Sequence, residues 1–294
     1  MLHFSVLDAP SILGLRPTGV EKLPQALKAA GLLEALKARY LGRVQPVLSY
    51  SSERDKVTQI LNGKAIREFS LQLAKSITEV IRKNNSFILA LGGDCSIIIG
   101  TLLALRRLGR YGLFFIDGHA DFYQPEASVS GEVADMDLAI VSGRGPDILT
   151  NIDGLKPLVR DEDMVVFGYR DAEQAAGYGS QDVTDTNMQV YDLCRVKGLG
   201  IANASSRALR KLLKNEVDGF WIHLDADVLD DSIMPAVDYR LGGGLSFTEM
   251  SDLLRILCSS GKAVGMSISI FNPSFDSDGS IAKKFVSSIV KGLS

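Results

Sequence analysis

The sequence is poor in several residues that would open particular functions. Its 294 residues include one tryptophan, three histidines and three cysteines. Cys95, Cys194 and Cys258 are odd in number and widely scattered. That excludes a disulfide framework and favours a reducing compartment. No block of Lys or Arg stands out, and the net charge is only −3. A nucleic-acid partner or a membrane surface is therefore not expected. No apolar run approaches the roughly 18–20 residues that cross a bilayer. The opening MLHFSVLDAPSILGLRPTG has no basic stretch ahead of a long apolar one, so no signal peptide is expected and the cytoplasm is the expected location. Also missing are G-x-G-x-x-G, a Walker loop and G-x-S-x-G, with the chemistries each supports.

What is present is an ordinary globular composition, 46% apolar and 23% charged. Apolar β-rich runs alternate with amphipathic segments along most of the chain. FILAL (87–91), GLFFID (112–117), MVVFG (164–168), MQVYD (188–192), FWIHLD (220–225) and VGMSISI (264–270) read as strands. Their unbroken apolar character suits parallel strands covered on both faces. Helices are expected over 65–83, 96–109, 205–216 and 246–261. The last two open on Ser205 and Ser246 as N-caps, and the last closes on Gly261. No linker or repeat interrupts the pattern, so residues 1–294 form one α/β domain around a mostly parallel sheet. Residues 118–160 are the longest stretch without clear periodicity, as functional loops often are.

Three polar clusters follow strands: GGDCS (92–96), DGHAD (117–121) and DADVLDD (225–231). Ligands of such sheets bind beyond the carboxyl ends of the strands. Asp117, His119 and Asp121 alternate, as do Asp225 and Asp227, so each set points one way from an extended segment. Carboxylates gathered with an imidazole and the Cys95 thiol need positive charge to share a dry pocket. A divalent cation, or a pair of them, supplies it and generates hydroxide near neutral pH. His223 lies inside a strand and points with Asp225; its residue type alone suits a hydrogen-bonded core histidine. His3 reads as structural.

The three clusters, in this order, resemble the arginase/agmatinase ureohydrolase family, whose pattern is GGDHS, D-A-H-x-D and D-x-D-x-x-D-P. The resemblance spans nearly the whole chain, through RPTGVEKLPQALKAAGLLEAL (16–36), FGYRDAE (167–173), GGLSFTEM (243–250) and FNPSFD (271–276). It implies a parallel eight-stranded sheet, a binuclear Mn²⁺ site and a small-molecule substrate. It also implies a homo-oligomer, since trimers and hexamers are common in the family. By position, Asp117 and Asp225 would bridge two ions. Cys95 and Asp121 would complete one site, and His119 and Asp227 the other. Asp121 would also orient the attacking hydroxide.

Three departures qualify the resemblance. Cys95 stands where the family has histidine; a thiolate is softer and favours Zn²⁺ or Fe²⁺. Ile270 stands where a glutamate meets the substrate's guanidinium, so arginine and agmatine are not expected substrates. Ala134 stands where a histidine protonates the leaving group. Glu132, with Asp135 and Asp137 beside it, is the candidate to take over that acid/base role, unless these are solvated loop charges. Ser130 and Glu173 align with substrate-binding positions, Glu173 with the acid that meets an amino group. The expected activity is hydrolysis of a non-peptide C–N bond in a guanidine, amidine or amide by a metal-bound hydroxide. The rivals are a one-metal deacetylase-like amidohydrolase and a catalytically silent binding or regulatory subunit.

Overall fold

Eight strands pair side by side, and every pairing is parallel. They are β1 (Phe4–Asp8), β2 (Arg39–Arg43), β3 (Phe87–Leu91), β4 (Tyr111–Ile116), β5 (Met164–Phe167), β6 (Gln189–Tyr191), β7 (Gly219–Asp225) and β8 (Ala263–Ser269). The computed structural model describes residues 3–83 and 86–294. The order across the sheet is β2-β1-β3-β8-β7-β4-β5-β6. β3 and β7 are buried along their whole length, as the apolar FILAL and the largely apolar GFWIHLD require of strands covered on both faces.

Two apolar layers flank the sheet. On one face the helix Gly63–Lys83 packs against Ile97–Arg106, whose residues from Ile97 to Leu105 are all buried. On the other, Phe247–Cys258 packs against Ser280–Leu293 and Ile201–Leu213. Ser246 caps its helix as expected, in a reciprocal capping box with Glu249. Ser205 does not cap one. Its helix starts at Ile201, and the Ser205 hydroxyl donates back to the Ile201 carbonyl. Gly261 lies beyond the C-cap residue Ser259.

Among the elements beyond the sequence expectation, besides shorter helices such as Leu23–Ala29 and Leu193–Leu199, three stand out. β2 is an edge strand of mostly exposed residues, so it carries no apolar signal. β1 is a short strand beside it. The helix Ser280–Leu293 is the third, although Phe285, Ile289 and Leu293 recur at helical spacing. The stretch 118–160 holds short helical pieces, among them Asp137–Val141, packed on the helix Ile97–Arg106, and Asp147–Thr150, packed on the helix Gly63–Lys83 and on Asp137–Val141.

Candidate metal centre

The polar clusters leave β3, β4 and β7, which with β8 are consecutive in the middle of the sheet. One local device recurs in all three. The Asp94 side chain accepts from the Ser96 amide at 2.9 Å, Asp117 from the His119 amide at 2.7 Å, and Asp225 from the Asp227 amide at 2.7 Å. Each aspartate thus turns the chain sharply at its strand end by satisfying an amide two residues on. The clusters then lock together. Asp227 accepts from the Gly118 amide at 3.1 Å, and Asp171 accepts from the Ala120 amide at 3.0 Å. Arg170 donates to the carbonyls of Asp227, Leu241 and Gly242, tying down the loop after β7. Glycine is required at 118, where a Cβ would lie 2.7 Å from the Asp227 carbonyl oxygen and 2.6 Å from the Arg170 guanidinium.

Possible ligand atoms fall into three overlapping groups, each with all members within 4.8 Å of one another. Asp117, His119 and Asp227 form one; Cys95, Asp117, His223 and Asp225 form the second; Cys95, Asp121 and Asp137 form the third. All six residues carried over as metal ligands therefore belong to one continuous cluster. His119 Nδ1 stands 3.0 Å from Asp227 and 3.7 Å from Asp117. The Cys95 thiol lies 2.8 Å from Asp225 Oδ2 and 3.2 Å from Ser269 Oγ.

This crowding of acids disturbs their titration. Burial, with Asp227 alongside, pushes the Asp117 carboxyl up to about 7. Burial and neighbouring carboxylates also push Asp121, Asp225 and Asp137 well up, and burial beside Asp225 does the same to the Cys95 thiol. Asp227 escapes. Burial would raise it, but His119 outweighs that and holds it low. Burial would in turn lower His119, yet Asp227 and Asp117 hold it well above the usual histidine value. Cations fit this cluster on structural grounds. Among the described residues Asp117 Oδ2 and both oxygens of Asp137 are buried without a hydrogen-bond partner. Such oxygens are tolerated only with a proton or a cation.

Above the cluster opens a cavity of about 350 Å³, lined by Cys95, His119, Asp121, Asp225 and Asp227 on its polar side. Ile270, Ala134, Leu15 and three tyrosines, Tyr123, Tyr178 and Tyr239, supply much of the rest. Ile270 is buried at φ 69°, a region that a β-branched residue rarely enters. Ser130 also lines the cavity, its hydroxyl 3.0 Å from Asp135.

Two expectations change here. Glu132 and Asp137 are not solvated loop charges: Asp137 is fully buried, and Glu132 is buried between Arg16 (3.0 Å) and the Tyr239 hydroxyl (2.8 Å). Glu173 sits exposed on the helix Ala172–Gly177 and does not line the cavity; its neighbour Gln174 does. His223 is fully buried, bonded to Ser267 at 2.8 Å and stacked on Phe115, and burial pulls it down to about 3. Arg16, Tyr239 and Asp171 escaped the sequence reading because nothing in their spacing links them to the clusters.

A parallel sheet with acids, an imidazole and a thiol gathered beyond its central strands defines a metal-dependent hydrolase of the arginase type. Comparison with known proteins agrees. A family model described as "Arginase family" matches residues 4–293. The arginase of Staphylococcus aureus (strain MSSA476) is 31% identical over 289 residues, covering 96% of this chain and 94% of its own. The arginase structure from Bacillus caldovelox superposes with a TM-score of 0.87 at 28% identity, covering 100% of this chain and 98% of that one. The formimidoylglutamase of Bacillus subtilis shares the fold, with a TM-score of 0.75 at 16% identity over 100% of this chain and 86% of that one. The chain belongs to the arginase family, metal-dependent hydrolases of C–N bonds other than peptide bonds.

Proposed function

We propose that this protein hydrolyses a C–N bond in a small amide, amidine or substituted guanidine other than arginine or agmatine, using two divalent ions. The observation that carries this reading is the pairing of a ligand-rich floor with Ile270 on the cavity wall. A guanidinium beside Ile270 would lose water without gaining a carboxylate there, at a cost of several kcal/mol. Mn²⁺ follows from the family, and Zn²⁺ or Fe²⁺ from the thiol at Cys95.

Cys95, Asp117, Asp121, Asp225, His119 and Asp227 would hold the ions, with Asp117 and Asp225 shared between them. Bound there, divalent cations supply Lewis acidity and lower the pKa of water. Asp121, a buried carboxylate lining the cavity, would hold the proton given up by the attacking water. Ala134 carries no proton for a leaving amine. Glu132 takes that role in this reading, because burial raises its carboxyl even though Tyr239 and Arg16 oppose the shift. Ser130 would contact the body of the substrate, Ile270 would form an apolar wall, and Glu173 would act only on a substrate long enough to reach the cavity rim.

The same reading makes the protein a cytoplasmic homo-oligomer. Its cysteines are free, and exposed Tyr40, Val47, Leu48 and Val57 supply apolar surface for a partner copy. No described helix is long and apolar enough to cross a membrane. The test is ammonia release from a panel of amides, amidines and guanidines by protein loaded with Mn²⁺ or Zn²⁺. Turnover of an amide or amidine supports the proposal; urea release from arginine at ordinary arginase rates refutes the substrate reading.

A further inference from the structure

Asp137 begins the helix Asp137–Val141, and its side chain has no solvent exposure. Among the described residues neither of its carboxylate oxygens has a donor at good hydrogen-bond geometry, the Leu138 amide being the nearest help. One of them lies within 4.8 Å of both the Cys95 sulfur and an Asp121 oxygen.

Neighbouring acids leave one oxygen bare but satisfy the other, whereas Asp137 leaves both bare. Asp135, two residues earlier, accepts from the hydroxyls of Ser128 at 2.8 Å and Ser130 at 3.0 Å. Asp94 accepts from the Ser96 amide at 2.9 Å. Asp137 has no hydroxyl or well-aligned amide of this kind, so a proton or an ion shared with Cys95 and Asp121 has to satisfy it. Cys95 is drawn toward Asp225 and Ser269, at 2.8 and 3.2 Å. The short thiol therefore leaves the Asp121 side open.

We propose that Asp137 is a metal ligand, completing with Cys95 and Asp121 the first of the two ion sites. This rests on the two-ion reading above and adds to it a residue outside the ligand set carried over from the family. A hard oxygen donor at this point offsets the softness of the thiol and draws the site back toward Mn²⁺. His223 is the competing candidate, since its ring stands within 4.8 Å of Cys95, Asp117 and Asp225. Its nitrogens are already placed, Nδ1 at 2.8 Å from Ser267 and Nε2 at 3.4 Å from Ser269, so the ring has partners without an ion.

The experiment counts Mn²⁺ ions per chain after loading and removal of excess, in wild type, Asp137→Asn, Asp137→Ser, His223→Gln and the double variant Asp137→Asn with Cys95→His. Thermal melts of the metal-free proteins select variants that fold. The visible spectrum of Co²⁺-loaded protein reports the coordination of the first site independently. Two ions are expected in wild type and in His223→Gln. One is expected in Asp137→Asn and Asp137→Ser, with an altered Co²⁺ spectrum, and two again once an imidazole at 95 replaces the thiol and gives the family's ligand set, which does without Asp137. Two ions in both Asp137 variants, with the wild-type Co²⁺ spectrum, would overturn the proposal. So would loss of the ion in His223→Gln instead. A wild type holding fewer than two ions would overturn the two-ion reading itself, and is distinguishable because it requires no variant.

Discussion

The thiol of Cys95 donates a hydrogen bond to Asp225 across 2.8 Å, although the two residues are 130 positions apart in the chain. Burial and that carboxylate both hold the proton on sulfur. An ion bound here has to displace it, so occupancy of the first site should fall as pH is lowered. Cys95→His should raise Mn²⁺ affinity at this site and lower its preference for Zn²⁺. Cys95→Ala should weaken the site while the His119 site stays filled. Metal content per chain after matched Mn²⁺ and Zn²⁺ loading checks this; equal content and selectivity in all three proteins would remove Cys95 from the ligand set.

Ile270→Glu should give the cavity the carboxylate that a guanidinium requires. A charge-assisted hydrogen bond contributes about 1.5–3 kcal/mol, so kcat/KM for arginine or agmatine should rise roughly 10- to 100-fold. Ala134 still limits the absolute rate. Urea production by the variant and the parent, assayed side by side, is the measurement, and no gain would mean that the wall at 270 does not face the substrate.

Stability of the metal-free protein should fall as pH rises above neutrality. Asp117 is raised from 3.8 to about 7, so the folded chain holds a proton that the unfolded chain releases; stability declines as pH climbs through that interval. His119, raised above 6.5, adds stability that is present below 6.5 and is lost as pH passes its folded value. His223, lowered to about 3, acts the other way, but only as pH falls below 6.5. From pH 6.5 to 8 the end of the Asp117 interval, near 7, and then His119 set the trend, both downward. Metal-free melts should drop across this range by about 2–4 °C for each kcal/mol lost, while saturating Mn²⁺ or Zn²⁺ flattens or reverses the slope. Parallel slopes with and without ion would contradict this.

Gly118→Ala should cost about 1–3 kcal/mol, because the new methyl meets the Asp227 carbonyl oxygen and Arg170, both held in place. Since Gly118 also donates to the Asp227 side chain, the variant should lose ion at the His119 site before the Cys95 site. Denaturant melts and metal content test the two effects separately.

Much of this architecture is legible in the sequence because the inner strands are mostly apolar, and β4 and β7 run directly into acids. Asp117 and Asp225 mark both the end of a strand and the start of the site. β2 could not be read that way, since an edge strand such as RYLGR buries too little to show a pattern. Nor could Asp137. An acid ahead of a short apolar segment has the same local sequence whether the loop lies in water or folds over the sheet. Glu173 shows the converse, a position that aligns with a functional acid while its side chain is exposed and does not line the cavity.

The order of strands across the middle of the sheet has a kinetic consequence. β3, β8, β7 and β4 are neighbours in space, yet the chain passes through β5 and β6 before β7 and β8 are reached. Closing the ligand cluster thus demands long-range pairings, which are slow to form and belong to the last stages of assembly. Ions that need the finished cluster have little to grip in the folding transition state. They should leave the rate of folding nearly unchanged and lengthen the lifetime of the native molecule by slowing its unfolding.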